Sequence, residues 1–298
     1  GLKELKIEIC NYLKRKLDLD YDYNKDVIVT VGGSEAIDLA IRAMINPGDE
    51  VLIPQPSYVS YLPCAVMADA VPVFINLKEE NQFKLTKEEL LEHITDKTKI
   101  LIMPFPNNPT GAIMTREELM ELVPVIIEKD LYVISDEIYS ELTYGDNKHC
   151  SIASLPGMKE RTIMINGFSK AFAMTGWRLG YACGPAEIIK QMIKLHQYAI
   201  MCAPTNSQFA AVEALRNCDT EVEKMVTAYD QRRRFLLHEL KSMGIDCFEP
   251  FGAFYIFPSI KKFGMTSDEF ASRLLEDQKL AVVPGTAFGN SGEGFVRI

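Results

Sequence analysis

The chain has 298 residues, 47% of them hydrophobic and 24% charged, with 32 Lys and Arg against 41 Asp and Glu for a formal net charge of −9. These values exclude a disordered, collagen-like or coiled-coil chain, and a chain this long buries roughly three quarters of its unfolded surface, enough for a large core or two domains. The acidic balance argues against a general nucleic-acid binder and against an anionic membrane surface, and no apolar run reaches the length of a span.

Leu2, Leu5, Ile7, Ile9, Tyr12 and Leu13 recur at near-helical spacing, so the chain opens inside a helix. No charged segment followed by an apolar one precedes them, and no secretion signal is read. Apolar, β-branched runs then fall at 27–31, 51–53, 71–75, 100–103, 132–135, 162–165 and 179–183. Amphipathic stretches lie between several of them. Thr86 with Glu89 and Thr115 with Glu118 have capping-box spacing, and Pro47-Gly48 closes a helix that begins near Ser34. This alternation predicts an α/β fold: an open, mostly parallel sheet with helices on both faces.

After Gly184 the pattern changes. Two long helical stretches run to about Met243, with Arg232, Arg233 and Arg234 on a solvated stretch, and short strand-like pieces follow at 254–257 and 281–283. The expectation is a large domain over residues 1–217 and a smaller α+β domain over 218–298. Residues 294–298 read as a strand cut off in mid-course, so pieces are expected beyond both ends. Seven scattered cysteines without a CxxC pair point to reduced, cytoplasmic usage. Four histidines without ligand spacing predict no metal site.

Ligands of open α/β sheets sit beyond the carboxyl ends of the strands. After the first run come Gly32, Gly33, Ser34 and Glu35, opening a helix whose free N–H groups suit an anion; an ordinary glycine turn with a Ser cap would look the same. After the fourth run the stretch Pro104-Phe105-Pro106-Asn107-Asn108-Pro109-Thr110-Gly111 stiffens a loop that could hold Asn108 as a donor; a plain Asn-Pro turn is the alternative. Asp136 and Tyr139 follow the fifth run, and a helical turn there would point both one way. Lys170 leaves the sixth run among small and apolar residues, where desolvation would lower its pKa and free its amine for Schiff-base chemistry. Arg178 offers a two-pronged grip on phosphate. Together these groups are the set that holds pyridoxal 5′-phosphate.

The chain resembles the class I/II aminotransferases of pyridoxal-phosphate fold type I over essentially its whole length. The lysine-attachment motif is matched by residues 167–180. Asn108-Pro109-Thr110-Gly111, Ser135-Asp136-Glu137-Ile138-Tyr139, Pro284-Gly285-Thr286-Ala287-Phe288-Gly289 and Gly294-Phe295-Val296-Arg297 match four more signatures. The resemblance implies that Lys170 is the Schiff-base lysine and proton shuttle, and that Asp136 pairs with the pyridine nitrogen. It implies that Asn108 and Tyr139 bond the ring's phenolic oxygen and that Tyr58 stacks on the ring. Gly33, Ser34, Glu35 and Arg178 would hold the phosphate, and Arg297 the substrate's α-carboxylate. Gly167 stands where the family often has a phosphate-binding Ser, with Ser169 nearby. Ser34 stands where close bacterial aspartate aminotransferases can carry a Lys for a second carboxylate. A tyrosine that reaches the partner subunit's phosphate is expected just before residue 1.

The expected activity is amino transfer from an α-amino acid to a 2-oxo acid by a homodimer with shared active sites, in which residues 202–206 contact the partner. A C–S β-lyase of the same fold needs the same residues. A cofactor-sensing regulatory domain and a nucleotide-binding domain are the non-catalytic rivals. The first lacks a basic DNA-binding segment here, and the second lacks both GxGxxG and GxxxxGK[ST].

Overall fold

The computed structural model describes all 298 residues. Nine helices are present: α1 (Lys3–Leu17), α2 (Gly33–Met44), α3 (Tyr61–Met67), α4 (Lys87–His93), α5 (Arg116–Glu128), α6 (Ala186–Ala199), α7 (Thr205–Asn217), α8 (Asp219–Ser242) and α9 (Ser267–Gln278). Seven strands form the main sheet: β1 (Val27–Thr30), β2 (Glu50–Gln55), β3 (Val71–Asn76), β4 (Thr98–Met103), β5 (Tyr132–Asp136), β6 (Thr162–Gly167) and β7 (Gly180–Cys183). A two-stranded ribbon joins β8 (Val283–Pro284) to β9 (Val296–Arg297).

The sheet order is β1-β7-β6-β5-β4-β2-β3. All seven apolar runs of the sequence become its strands. Only β7 runs antiparallel, to β1 on one side and β6 on the other. The connection explains this. A parallel return needs a crossover of a dozen or more residues, usually a helix, whereas residues 168–179 fold back directly as a loop. That loop carries Lys170 and Arg178.

Side chains alternate across the sheet with period two. Ile100, Ile102, Ile134, Ile163 and Ile165 point to one face and pack with Ala36, Ile37, Ala40 and Ile41 of α2, Ala65 of α3 and Ile189 of α6. Leu101, Met103 and Val133 point to the other, against Leu90 of α4 and Leu119, Leu122 and Ile126 of α5. Both expected capping boxes form. A third, Thr266 with Glu269 at the start of α9, has the same spacing and was not read from the sequence.

Three sequence expectations need correction. The helical part after Gly184 is three helices, not two: the chain breaks before Pro204 and again at Cys218. Arg233 is buried, unlike exposed Arg232 and Arg234. Its guanidinium donates to Asp230 at 2.9 Å, to Glu249 at 2.9 Å and to the carbonyl of Pro250 at 3.2 Å, and lies over the rings of Tyr144 and Phe251. Burial is tolerated because the charge is paired and its donors are used. Residues 254–257 form no strand; Ala253 takes a left-handed turn (φ 58°), and bridges form at Gly252, Pro258 and Ser259. No helix is long and apolar enough to cross a membrane.

Candidate active site

A cleft of about 250 Å³ opens at the carboxyl ends of the parallel strands. Gly33 and Ser34 reach it from the start of α2, Tyr58 from the β2–α3 connection, Tyr61 from the start of α3, and Asn108 from the loop after β4. Asp136 and Tyr139 come from the end of β5, and Ser169, Lys170 and Arg178 from the β6–β7 loop. Tyr255 and Arg297 close it from the C-terminal part.

One end suits an anion. Gly32 has φ 80°, and a Cβ there would stand 2.9 Å from the Arg178 guanidinium. Gly180 is tighter still, since its Cβ would meet Gly32 C at 2.6 Å and Gly33 N at 2.8 Å. The β7 backbone therefore lies directly on the glycine turn, and Arg178, two residues earlier, reaches the helix start. Arg178 itself adopts φ 52° and donates to the carbonyl of Thr175 at 3.2 Å. The first turn of α2 leaves N–H groups without intrahelical partners, and the dipole adds positive potential. Ser34 Oγ is 3.1 Å from Tyr58 Oη.

Glu35 does not share the cleft. Its carboxylate accepts from the Val31 N–H and from His196 Nδ1, the latter at 2.7 Å, and so ties the glycine turn to α6. Of Glu35, only the backbone N–H is left for an anion at the helix start.

The other end holds a buried acid. Asp136 Oδ2 accepts from Tyr61 Oη at 2.7 Å, and Oδ1 accepts from the Ile138 N–H at 3.2 Å. Burial pushes this carboxyl above its usual value, while the Tyr61 and Ile138 bonds pull it back. Tyr139 Oη lies 2.9 Å from Tyr255 Oη, and burial with that neighbour raises its pKa. Asn108 Oδ1 accepts from Arg297 Nη1 at 2.8 Å. Arg is a donor only, which fixes the amide orientation and leaves the Asn108 NH₂ free to donate. Arg297 also stacks 4.4 Å from the Tyr255 ring and 4.7 Å from the Phe288 ring.

Lys170 is half-buried between Tyr139 and Phe254, 5.7 and 5.2 Å from their ring centres. Burial lowers its pKa most, followed by the charges of Arg297 and Arg178; Asp136 works the other way. The structure thus gathers every expected site residue into one cleft except the Glu35 side chain. Sequence reasoning missed Tyr61 and Tyr255. Tyr61 had a signal, since it follows Tyr58 by three residues, one helical turn. Tyr255 had none, because the turn at Ala253 that brings it in is not written in the local pattern.

The donor set fits pyridoxal 5′-phosphate: an amine of low proton affinity, a buried carboxylate, and a helix start with a guanidinium for a dianion. A family model described as aminotransferase class I and II matches residues 1–298. An aspartate aminotransferase of Pyrococcus abyssi is 47% identical, the alignment covering 100% of this chain and 77% of the relative. Aromatic-amino-acid aminotransferase 2 of Thermococcus litoralis is 42% identical, with the same two coverages. The solved aromatic aminotransferase from Pyrococcus horikoshii OT3 matches with TM-score 0.98 at 45% identity, over 100% of this chain and 80% of that one. Fold and site define a pyridoxal-phosphate enzyme of fold type I. The chain belongs to the class I and II aminotransferases and is an aminotransferase that uses pyridoxal 5′-phosphate.

A lowered pKa makes a kinetic signature. Lys170 turns neutral at a lower pH than an ordinary lysine, so in cofactor-free protein it should acetylate ahead of exposed lysines such as Lys78 below about pH 10. Pulse labelling with acetic anhydride and mass spectrometry measures both rates; equal midpoints would show that the cleft does not depress Lys170. The unfolded lysine binds its proton more tightly than the folded one, so this residue's contribution to stability rises with pH in that window.

Proposed function

We propose that this aminotransferase runs its chemistry on Lys170, Asp136 and Tyr139, with an α-amino acid and a 2-oxo acid as substrates. The observation that carries the reading is a half-buried, charge-crowded amine sharing one cleft with a buried carboxylate. Gly33, Ser34, the Glu35 N–H, Ser169 and Arg178 hold the phosphate. Ser169 lines the cleft and supplies a hydroxyl that Gly167 cannot. Asp136 faces the pyridine nitrogen, Tyr58 covers the ring, and Asn108 and Tyr139 bond its phenolic oxygen. The cofactor, when bound, supplies an electron sink for the charge left as the α-proton departs. The neutral Nζ of Lys170 takes that proton from the substrate's α-carbon and returns it on the cofactor side. Arg297, steadied by Asn108, grips the α-carboxylate with two parallel N–H donors.

We further propose residues 1–217 as the cofactor-binding domain and 218–298 as the smaller one; the break between α7 and α8 at Cys218 supports the boundary. A homodimer is proposed from the exposed apolar surface beside residues 202–206, where Tyr198 is 87% and Met201 80% exposed. Seven free cysteines support a reducing compartment, the cytoplasm.

Borohydride treatment of the cofactor-loaded protein, followed by peptide mapping, should place a pyridoxyl group on Lys170; label on another lysine would remove Lys170 from this role. Arg297→Lys keeps the charge and loses the fork. It should lower kcat/KM for amino acids roughly tenfold or more, while an amine substrate without a carboxylate is hardly affected. Unchanged amino-acid kinetics would move the clamp to another arginine. Sedimentation should give twice the chain mass; an active monomer would overturn the shared-site reading.

A further inference from the structure

The two oxygens of Asp136 are held by different parts of the fold. The bond to Oδ1 comes from its own turn, through the Ile138 N–H. The bond to Oδ2 comes from Tyr61, 75 residues away in sequence and the first residue of α3. Tyr61 is 2% exposed, and its hydroxyl makes no other hydrogen bond. A buried phenol is costly unless its O–H is paired. Core packing gives no reason for that oxygen: a Phe would fill the same volume and keep the edge-on contact with Tyr58, whose ring centre is 5.7 Å away.

We propose that Tyr61 is a positioning residue for the aminotransferase reaction, fixing the plane of the Asp136 carboxylate and holding it anionic toward the cofactor's pyridine nitrogen. The inference rests on Asp136 having that role. Tyr61 alone reaches Asp136 from the β2 side of the cleft. Burial and, less, Glu137 just after β5 push the acid toward its neutral form, Lys170 on the β6–β7 loop pulls the other way, and Tyr139 completes the titratable groups around it. The Tyr61 bond is the largest of the influences that keep the proton off. Without it Asp136 binds a proton of its own more readily, and the ring nitrogen it faces is left less positive.

The test uses cofactor-loaded protein with Tyr61→Phe, Asp136→Ala and the double variant. Tyr61→Phe conserves volume, so the fold stays. A less positive ring nitrogen opposes protonation elsewhere on the cofactor less, so the pH midpoint of the visible absorbance should rise by about one unit, with cofactor dissociation constants rising roughly tenfold. In the Asp136→Ala background the same change should alter the dissociation constant less than about twofold, because the effect travels through Asp136. A single variant with unmoved midpoint and affinity overturns the proposal, and so does an equal effect without Asp136. If Asp136→Ala itself moves neither quantity, the role of Asp136 fails instead.

Discussion

The cleft depends on one backbone contact. Gly180 of β7 lies against Gly32 and Gly33 with no room for a Cβ. That approach sets the β6–β7 loop on the amino end of α2, and the loop brings Lys170 and Arg178 with it. Because β7 returns antiparallel without a helix, the loop stays at the ligand edge of the sheet instead of crossing a face. The sheet core behind it, built from alternating Ile, Leu and Val, is buried and close-packed, which resists displacement of that approach.

Charge then organises the cleft. Three cations, Lys170, Arg178 and Arg297, point into it, and of the acids only Asp136 lines it. The chain carries net charge −9, so this local excess of positive charge is set against the whole molecule. Both ends suit anions, the α2 start with Arg178 at one and Arg297 at the other. The arginines that attract them also repel a proton from Lys170. Attraction of anions and the lowered proton affinity of Lys170 are thus one electrostatic arrangement, strongest where water is excluded.

Much of this was legible in the chain. Strand runs show because buried parallel strands are near-continuous in Val, Ile and Leu. Lys170, Arg178, Asn108 and Asp136 show because their motifs follow strand ends, whereas Arg297, inside β9, shows only through the family signature. What stayed hidden depends on tertiary placement. The Glu35 carboxylate could have turned to the cleft or to His196, and one helical position permits both. Arg233 sits in a run of three arginines that reads as solvated, and only the approach of Tyr144, Phe251 and Glu249 from distant segments buries it. Residues 254–257 have strand composition, but a left-handed Ala253 turns them into aromatic lining for the site.

The two tyrosines before and at the start of α3 connect what the motifs leave separate. Tyr58 touches Ser34 at the α2 end through its hydroxyl, and Tyr61 touches Asp136 at the acid end through its own. Their rings meet edge to face at 82°. A residue pair one helical turn apart therefore spans the cleft from anion site to carboxylate, braced by an aromatic contact that resists rotation of either ring. Neither end is fixed by its own loop alone. The distance between the two ends is set by a single packed pair, one residue in the turn before α3 and the other at its start.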